Sequence, residues 1–163
     1  APIFEIEGKF VFTPSRERHE PYYSTLKKLT GSDILSERSF ISQYMVIDTT
    51  ICREMLSEIA TRSKTGDWID AIMSCLPLNC QSEFSEYETY GNYMLNNYPD
   101  RVVIANDNNW FRFGSDVVDI GAVSYEDMRR RFLGYKFVAF ERHPHTLPKR
   151  LRALLFLVLG VSA

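Results

Sequence analysis

Apolar and polar positions alternate through "FEIEGKFVF", residues 4 to 12, about the Glu7-Gly8 pair. A period of two broken by glycine predicts two short strands joined by a tight turn. A polar, proline-bounded loop, "TPSRERHEP", follows, and "PYYSTLKKLTG" then predicts a short helix with Pro21 at its start and Gly31 past its end. Residues 32 to 39 read as loop. "QYMVID" is rich in apolar and β-branched residues and predicts a strand feeding directly into a helix over "TTICREMLSEIATR". In that helix Ile51, Met55 and Ile59 recur at four-residue spacing beside Leu56, with Thr49 or Thr50 as N-cap. "DWIDAIMSCL" repeats the helical pattern through Trp68, Ile72, Met73 and Leu76, and Pro77 stops it.

The second half continues the mixture. Ser85 opens a helix in "SEFSEYETYGNYML", "RVVIAN" reads as a buried strand, "DNN" as a polar turn, and "WFRFG" as a short extended piece ending at Gly114. "SYEDMRRRFLGY" predicts a helix with Ser124 as cap, Asp127 three residues on and Gly134 as its stop. "KFVAFE" is a strand, "RHPHTLP" a turn, and "KRLRALLFLVLGV" a closing helix. Strands interspersed with helices, without a repeat, predict a single α/β or α+β unit.

Composition narrows the function classes. With 163 residues and 45% hydrophobic content the chain has the makings of one packed domain rather than a disordered segment. Nineteen basic residues against 21 acidic ones give no broad basic footprint, which argues against a nucleic-acid partner. Cys52, Cys75 and Cys80 form no CxxC pair and read as reduced core thiols. The amino-terminal residues lack the charged and apolar regions of a secretory signal. The run Ala153 to Val161 is shorter than the ~20 residues a membrane span requires. Lys149, Arg150 and Arg152 directly precede it, so residues 148–163 read as an interfacial helix on an anionic membrane surface, as a helix packed on protein, or as a truncated membrane span.

The densest chemistry lies in "SEFSEYETYGNY". Ser85 and Glu88 have the spacing of a capping box, in which the Ser85 hydroxyl accepts from the Glu88 N–H and the Glu88 carboxylate returns to the Ser85 N–H. Glu86 then occupies the first helical position, where the positive end of the helix dipole favours a carboxylate free to face a cleft. Glu86, Tyr90, Tyr93 and Asn97 fall on one face by i+3 and i+4 steps, an arrangement that suits the hydroxyls and ring faces of a sugar. Gly91 costs about 1 kcal/mol in a helix relative to Ala, which points to a close backbone approach. The alternative is that the glutamates are dipole-complementing surface charges and the tyrosines half-buried packing residues.

The core Ser85, Glu86, Tyr87, Tyr90, Gly91 is an S-E-Y-x-x-Y-G motif. With "SFISQYMVIDTTICREMLSEI" before it and "WFRFG" and "YKFVAFERH" after it, it resembles the C-terminal half of a bacterial glycosyltransferase-like family of capsular and surface-polysaccharide synthesis, over about Phe4 to His143. The resemblance implies a partial GT-A-like (Rossmann-like) α/β/α sandwich with a mixed sheet, spanning residues 1–147 and lacking the N-terminal nucleotide-binding units. It also implies a nucleotide-sugar donor, a saccharide or lipid-linked acceptor, a divalent metal (Mn or Mg), and work at the cytoplasmic face of a membrane. Glu86 is then the general base of an inverting transfer, with Glu88 in reserve and Tyr87, Tyr90 and Tyr93 around the substrate.

The family's Asp-x-Asp metal motif is absent from the sequence; "EYE" at Glu86 to Glu88 and "EIE" at Glu5 to Glu7 have its spacing but not its setting. The chain therefore reads as the acceptor-side half of a longer or truncated transferase, or as a non-catalytic carbohydrate-binding or interaction module. Trp110 is either a sugar platform or a packed strand residue, and Arg112 either a phosphate ligand or a solvent-facing one. By resemblance His143 is a candidate metal ligand, and His19 lies either in the loop near the acceptor or simply in a solvated loop. Asp48 is either an acceptor ligand or a helix-start acid.

Overall fold

The hairpin forms as the alternation predicts: β1 (Glu5–Ile6) pairs antiparallel with β2 (Lys9–Phe12), Glu5 opposite Phe10 and Ile6 opposite Lys9. Glu7 and Gly8 between them both hold positive φ, 52° and 76°, as a two-residue turn matched to strand twist requires. The computed structural model describes residues 4–15, 17–34, 37, 39–42, 44–77, 82–105, 110–112, 114–119 and 121–140.

The predicted strand "RVVIAN" is β3 (Val102–Ile104), and it pairs parallel with β2, Phe10 opposite Val102 and Phe12 opposite Ile104. The sheet order is β1-β2-β3, mixed in direction. A parallel pair needs a crossover. Here it consists of α1 (Glu20–Thr30), α2 (Thr49–Arg62), α3 (Trp68–Cys75), α4 (Glu86–Asn97) and a 3-10 turn, Pro99–Arg101. The mixed α/β character expected from the sequence is thus present.

Each helix starts and stops for local reasons. Pro21 lies in the first turn of α1 and Gly31 ends it at φ 66°, its N–H donating to the Lys27 carbonyl. The N-cap of α2 lies one residue before the threonines expected to fill that place. Asp48 is its N-cap, accepting from the N–H groups of Thr50 and Ile51, because a carboxylate one position earlier reaches two free donors at once. α3 is capped by Asp67 and ends at Leu76, before Pro77.

One expectation fails and another holds only in part. Residues 44–48 join neither sheet among the described residues; the Ser42 hydroxyl donates to the Tyr44 carbonyl, and the Asp48 N–H donates to the Tyr90 hydroxyl oxygen, so side chains take groups a neighbouring strand would have taken. The apolar face expected for α3 packs only in part: Ile72 lies half-buried against the core and Leu76 is half-buried. Ala71 is buried, while Trp68 and Met73 are 39% and 62% exposed, because the short helix meets α1 and α2 through its smallest residue.

Phe12, Phe40, Ile59, Tyr90 and Met94 centre the core of the first compact unit, Ile3–Asn106. The second unit, Asp107–Ala163 with Ala1–Pro2, has its own core of Phe111, Val118 and Phe132. The sequence reads as one unit through residue 147; two separate apolar clusters are what divide it near Asn106. In this second unit β4 (Trp110–Phe111) pairs parallel with β5 (Phe137–Val138), and α5 (Gly114–Val117) and α6 (Tyr125–Arg131) lie between them in sequence. Ser124 caps α6 as predicted, accepting from the Asp127 N–H, but the helix ends at Arg131, short of Gly134. The turn "RHPHTLP", the expected boundary after residue 147 and the closing helix of residues 148–163 lie outside the described residues.

Candidate functional site

Ser85 holds extended backbone at the start of α4, and its hydroxyl accepts from the Glu88 N–H at 3.2 Å. That fixes the first turn and sets the next residues in opposite directions. Glu86 is exposed and Tyr87 half-buried. With Tyr22 of α1, Ile41, Ser42 and Phe84 they border a cleft of about 260 Å³. Its wall therefore carries a carboxylate, two phenols, two serines and an apolar flank.

His19 braces this cleft from behind. Its Nε2 lies 2.7 Å from the Ser82 carbonyl oxygen; a carbonyl only accepts, so Nε2 carries the proton. The imidazole packs edge-on to the Tyr22 ring at 4.5 Å between centroids, and the Tyr22 hydroxyl bonds the Ser82 hydroxyl. The loop carrying His19 and the start of α4, which the sequence separates by more than sixty residues, thus come together.

Glu88 has a different occupation. It is fully buried, and its Oε1 accepts from the Tyr23 hydroxyl at 2.9 Å, the Phe40 N–H at 3.1 Å and the Ser39 hydroxyl. The Asn92 amide donates to its Oε2 at 3.3 Å and to its main-chain carbonyl at 2.9 Å. Half of the expected capping box is present: Ser85 receives the Glu88 N–H, but the carboxylate goes to α1 and the 39–40 segment instead of returning. Burial raises the Glu88 proton affinity above the ordinary glutamate range, against the opposing donations of Ser39, Tyr23 and Phe40. The same burial, and then the charge of Glu88, push the Tyr23 phenol up to about 12. Glu88 is a structural carboxylate, closed to substrate in this arrangement.

The aromatic wall expected along α4 is likewise core. Tyr90 is 2% and Tyr93 3% exposed. The Tyr90 ring meets Phe12 and its hydroxyl oxygen takes the Asp48 N–H at 3.0 Å. The Tyr93 hydroxyl donates to Glu58 at 2.8 Å and Glu54 at 3.2 Å, and burial followed by that bond to Glu58 raises its proton affinity strongly. Neither offers a ring face to a ligand, and of the predicted face only Glu86 and Asn97 are exposed. Gly91 does mark a close approach: a Cβ there would lie 2.4 Å from Cδ2 of the Phe40 ring.

Asp48 caps α2 and sits 3.5 Å from the Arg101 guanidinium. The N–H groups of Ile51 and Thr50 hold its carboxyl below the usual range. Trp110, in the second unit, is 6% exposed and opposite Phe137 in the strand pair, which makes it a packed strand residue. Arg112 is half-buried in that unit, and His143 lies outside the described residues. Among the described residues no three of His, Cys, Asp and Glu gather as a metal-holding group.

Sequence reasoning missed Tyr22 and Ser42 at the cleft, Ser82 bonded to His19 and Tyr22, and Tyr23 and Ser39 around Glu88. Tyr22-Tyr23 carried the only signal, since adjacent tyrosines on a helix point to different sides. Comparison with family models, with curated proteins and with solved structures finds no match.

Proposed function

We propose that the cleft at the start of α4 binds a saccharide and that Glu86 acts there as the general base of sugar transfer, accepting the proton of an acceptor hydroxyl as it attacks the anomeric carbon of a nucleotide-sugar. The observation that carries this reading is the division of labour in the first turn of α4: Glu88 is consumed by the core, whereas Glu86 is exposed in a cleft flanked by Tyr22, Tyr87 and Ser42. Phenol rings accommodate the apolar faces of a pyranose, and hydroxyl and carboxylate groups match its ring hydroxyls. A fixed carboxylate in hydrogen-bond reach of the attacking hydroxyl needs position more than a shifted proton affinity. A GT-A-like sandwich, a donor-binding half joined to this chain and work at the cytoplasmic face of a membrane belong to the same proposal.

Its test is a titration of the chain with a panel of methyl hexosides, followed by NMR, together with transfer of labelled hexose from nucleotide-sugars by the intact protein that carries the donor-binding half. Binding should perturb the Tyr22 and Tyr87 ring signals. Glu86→Gln should keep that binding and lower transfer by about 10²- to 10⁴-fold, the usual contribution of a general base. Unperturbed tyrosine signals across the panel would sink the saccharide reading. The absence of Asp-x-Asp from the sequence favours a second reading, a carbohydrate-binding module without transfer. In that case hexoside binding persists, no labelled sugar is transferred, and nucleotide has no effect on affinity.

A further inference from the structure

A second cavity, of about 320 Å³, opens in the first unit between α1, α2 and α3. Its floor is apolar: Leu29, Ile59 and Ala71 are 3%, 2% and 5% exposed and belong to the core. Its rim is basic, with Lys28 at the end of α1, Arg62 at the end of α2 and Lys64 in the loop that follows, and Ser63, Thr65 and Ser74 add hydroxyls. Among the described residues no acidic one lines it.

Most acids of the surrounding elements are engaged elsewhere, and Asp70 of α3 is exposed and outside the cavity lining. The Asp67 carboxylate caps α3, Asp33 pairs with Lys27, and Glu58 accepts from Tyr93. Among the described residues the ion pairs of this unit take up Arg18, Lys27 and Arg101 and leave Lys28, Arg62 and Lys64 unpaired. The Arg62 guanidinium is seated against Gly31: a Cβ on Gly31 would come within 2.9 Å of Nη1.

Cations in the last turns of α1 and α2 would complement the negative helix ends without any ligand. That explanation covers Lys28 and Arg62. It covers neither Lys64, which lies beyond both helices, nor a cavity of ligand size with a core-quality apolar floor.

We infer that this cavity binds a small amphipathic phosphate, a phosphate monoester whose anionic head is held by Lys28, Arg62 and Lys64 and whose apolar body lies on Leu29, Ile59 and Ala71. Arg62 presents a planar fork to the phosphate oxygens, and the two lysines supply point charges. Phosphate alone would use the rim and forgo the floor; an uncharged alcohol would use the floor and leave three cations unmatched. The site is independent of the cleft at Glu86.

The experiment is calorimetric titration of the whole chain with hexyl phosphate, inorganic phosphate and hexanol. Hexyl phosphate should bind more tightly than inorganic phosphate by about tenfold or more, the gain from burying as few as two methylenes. Raising the salt concentration should weaken it. Arg62→Gln and Lys28→Gln should each weaken hexyl phosphate by about five- to tenfold with little change in the urea midpoint, because both side chains are exposed. Ser74→Phe, which fills the mouth from an exposed position, should abolish binding, and Lys9→Gln on β2 should leave it unchanged. Sedimentation with vesicles containing phosphatidic acid identifies the source: co-sedimentation lost in Arg62→Gln places the phosphate on a lipid headgroup, and its absence alongside hexyl phosphate binding places it on a soluble molecule. Equal affinity for hexyl and inorganic phosphate, binding unaffected by both rim substitutions, or no binding of hexyl phosphate at millimolar concentration would each overturn the assignment.

Discussion

Glu86 and Glu88 stand in the first turn of the same helix and have opposite occupations. Two residues of helix are about 200° of rotation, so when one side chain faces the cleft the other must face the core. Glu86 is exposed, whereas Glu88 is sealed beneath Tyr23, Ser39 and Phe40. An acidic first turn is therefore not one feature but two, and what separates them is the supply of donors from distant segments. Removing each carboxylate is the largest test of that contrast. Glu88→Ala strands the Tyr23 and Ser39 hydroxyls and the Phe40 N–H in the core and should cost on the order of 3 kcal/mol. Glu86→Ala loses only a dipole interaction and should cost under about 1 kcal/mol. Urea denaturation of both variants measures this, and equal losses would break the distinction.

The next effect lies one turn further along. Gly91 faces the fully buried Phe40 ring, whose backbone N–H also serves Glu88, so the glycine and the carboxylate depend on the same packed segment. Gly91→Ala gains about 1 kcal/mol of helix propensity but forces a methyl against atoms near the root of that ring. Overpacking of this kind costs about 1–3 kcal/mol. We expect a net loss, smaller than that of Glu88→Ala, and an unchanged or raised midpoint in urea would mean that Phe40 is free to yield.

Much of the fold was legible because its signals are local. The hairpin at Glu7-Gly8, the helix from Pro21 to Gly31, the Pro77 stop and the Ser85 and Ser124 caps depend on a few neighbouring residues, and each is found. The strand expected at "QYMVID" failed because pairing depends on what lies alongside, and a tyrosine hydroxyl and a serine hydroxyl lie there instead. The same limit governed the site. Glu86 in a cleft and Gly91 in close contact were readable from spacing. That Tyr90 and Tyr93 turn inward was not, because helical periodicity gives a shared face without giving its direction, and direction is set by Phe12 on one side and Glu54 and Glu58 on another. His19 reached the cleft through Tyr22 and Ser82, contacts with no sequence signal.

The smallest effect is the pH dependence that the buried Glu88 gives to stability. Burial holds the Glu88 proton affinity above its ordinary value of 4.5 in the folded protein. The folded state therefore binds more protons than the unfolded one between those two values. Stability from this group is full below the unfolded value and falls as pH rises through the folded one. Asp48 works in the other direction, since its carboxyl is held below 3.8 by the N–H groups of Ile51 and Thr50, and its contribution is lost only as pH falls into that lower range. The two windows do not coincide, so a series of urea midpoints from about pH 4 to about pH 8 isolates Glu88. In the difference between the native chain and Glu88→Gln, the native chain should lose ground steadily as pH rises above 4.5 and the difference should level off once Glu88 is ionised in both states. A difference curve for Glu88→Gln that rises with pH would mean that the donations of Ser39, Tyr23 and Phe40 outweigh burial, leaving Glu88 an ordinary ionised carboxylate in an unusual place.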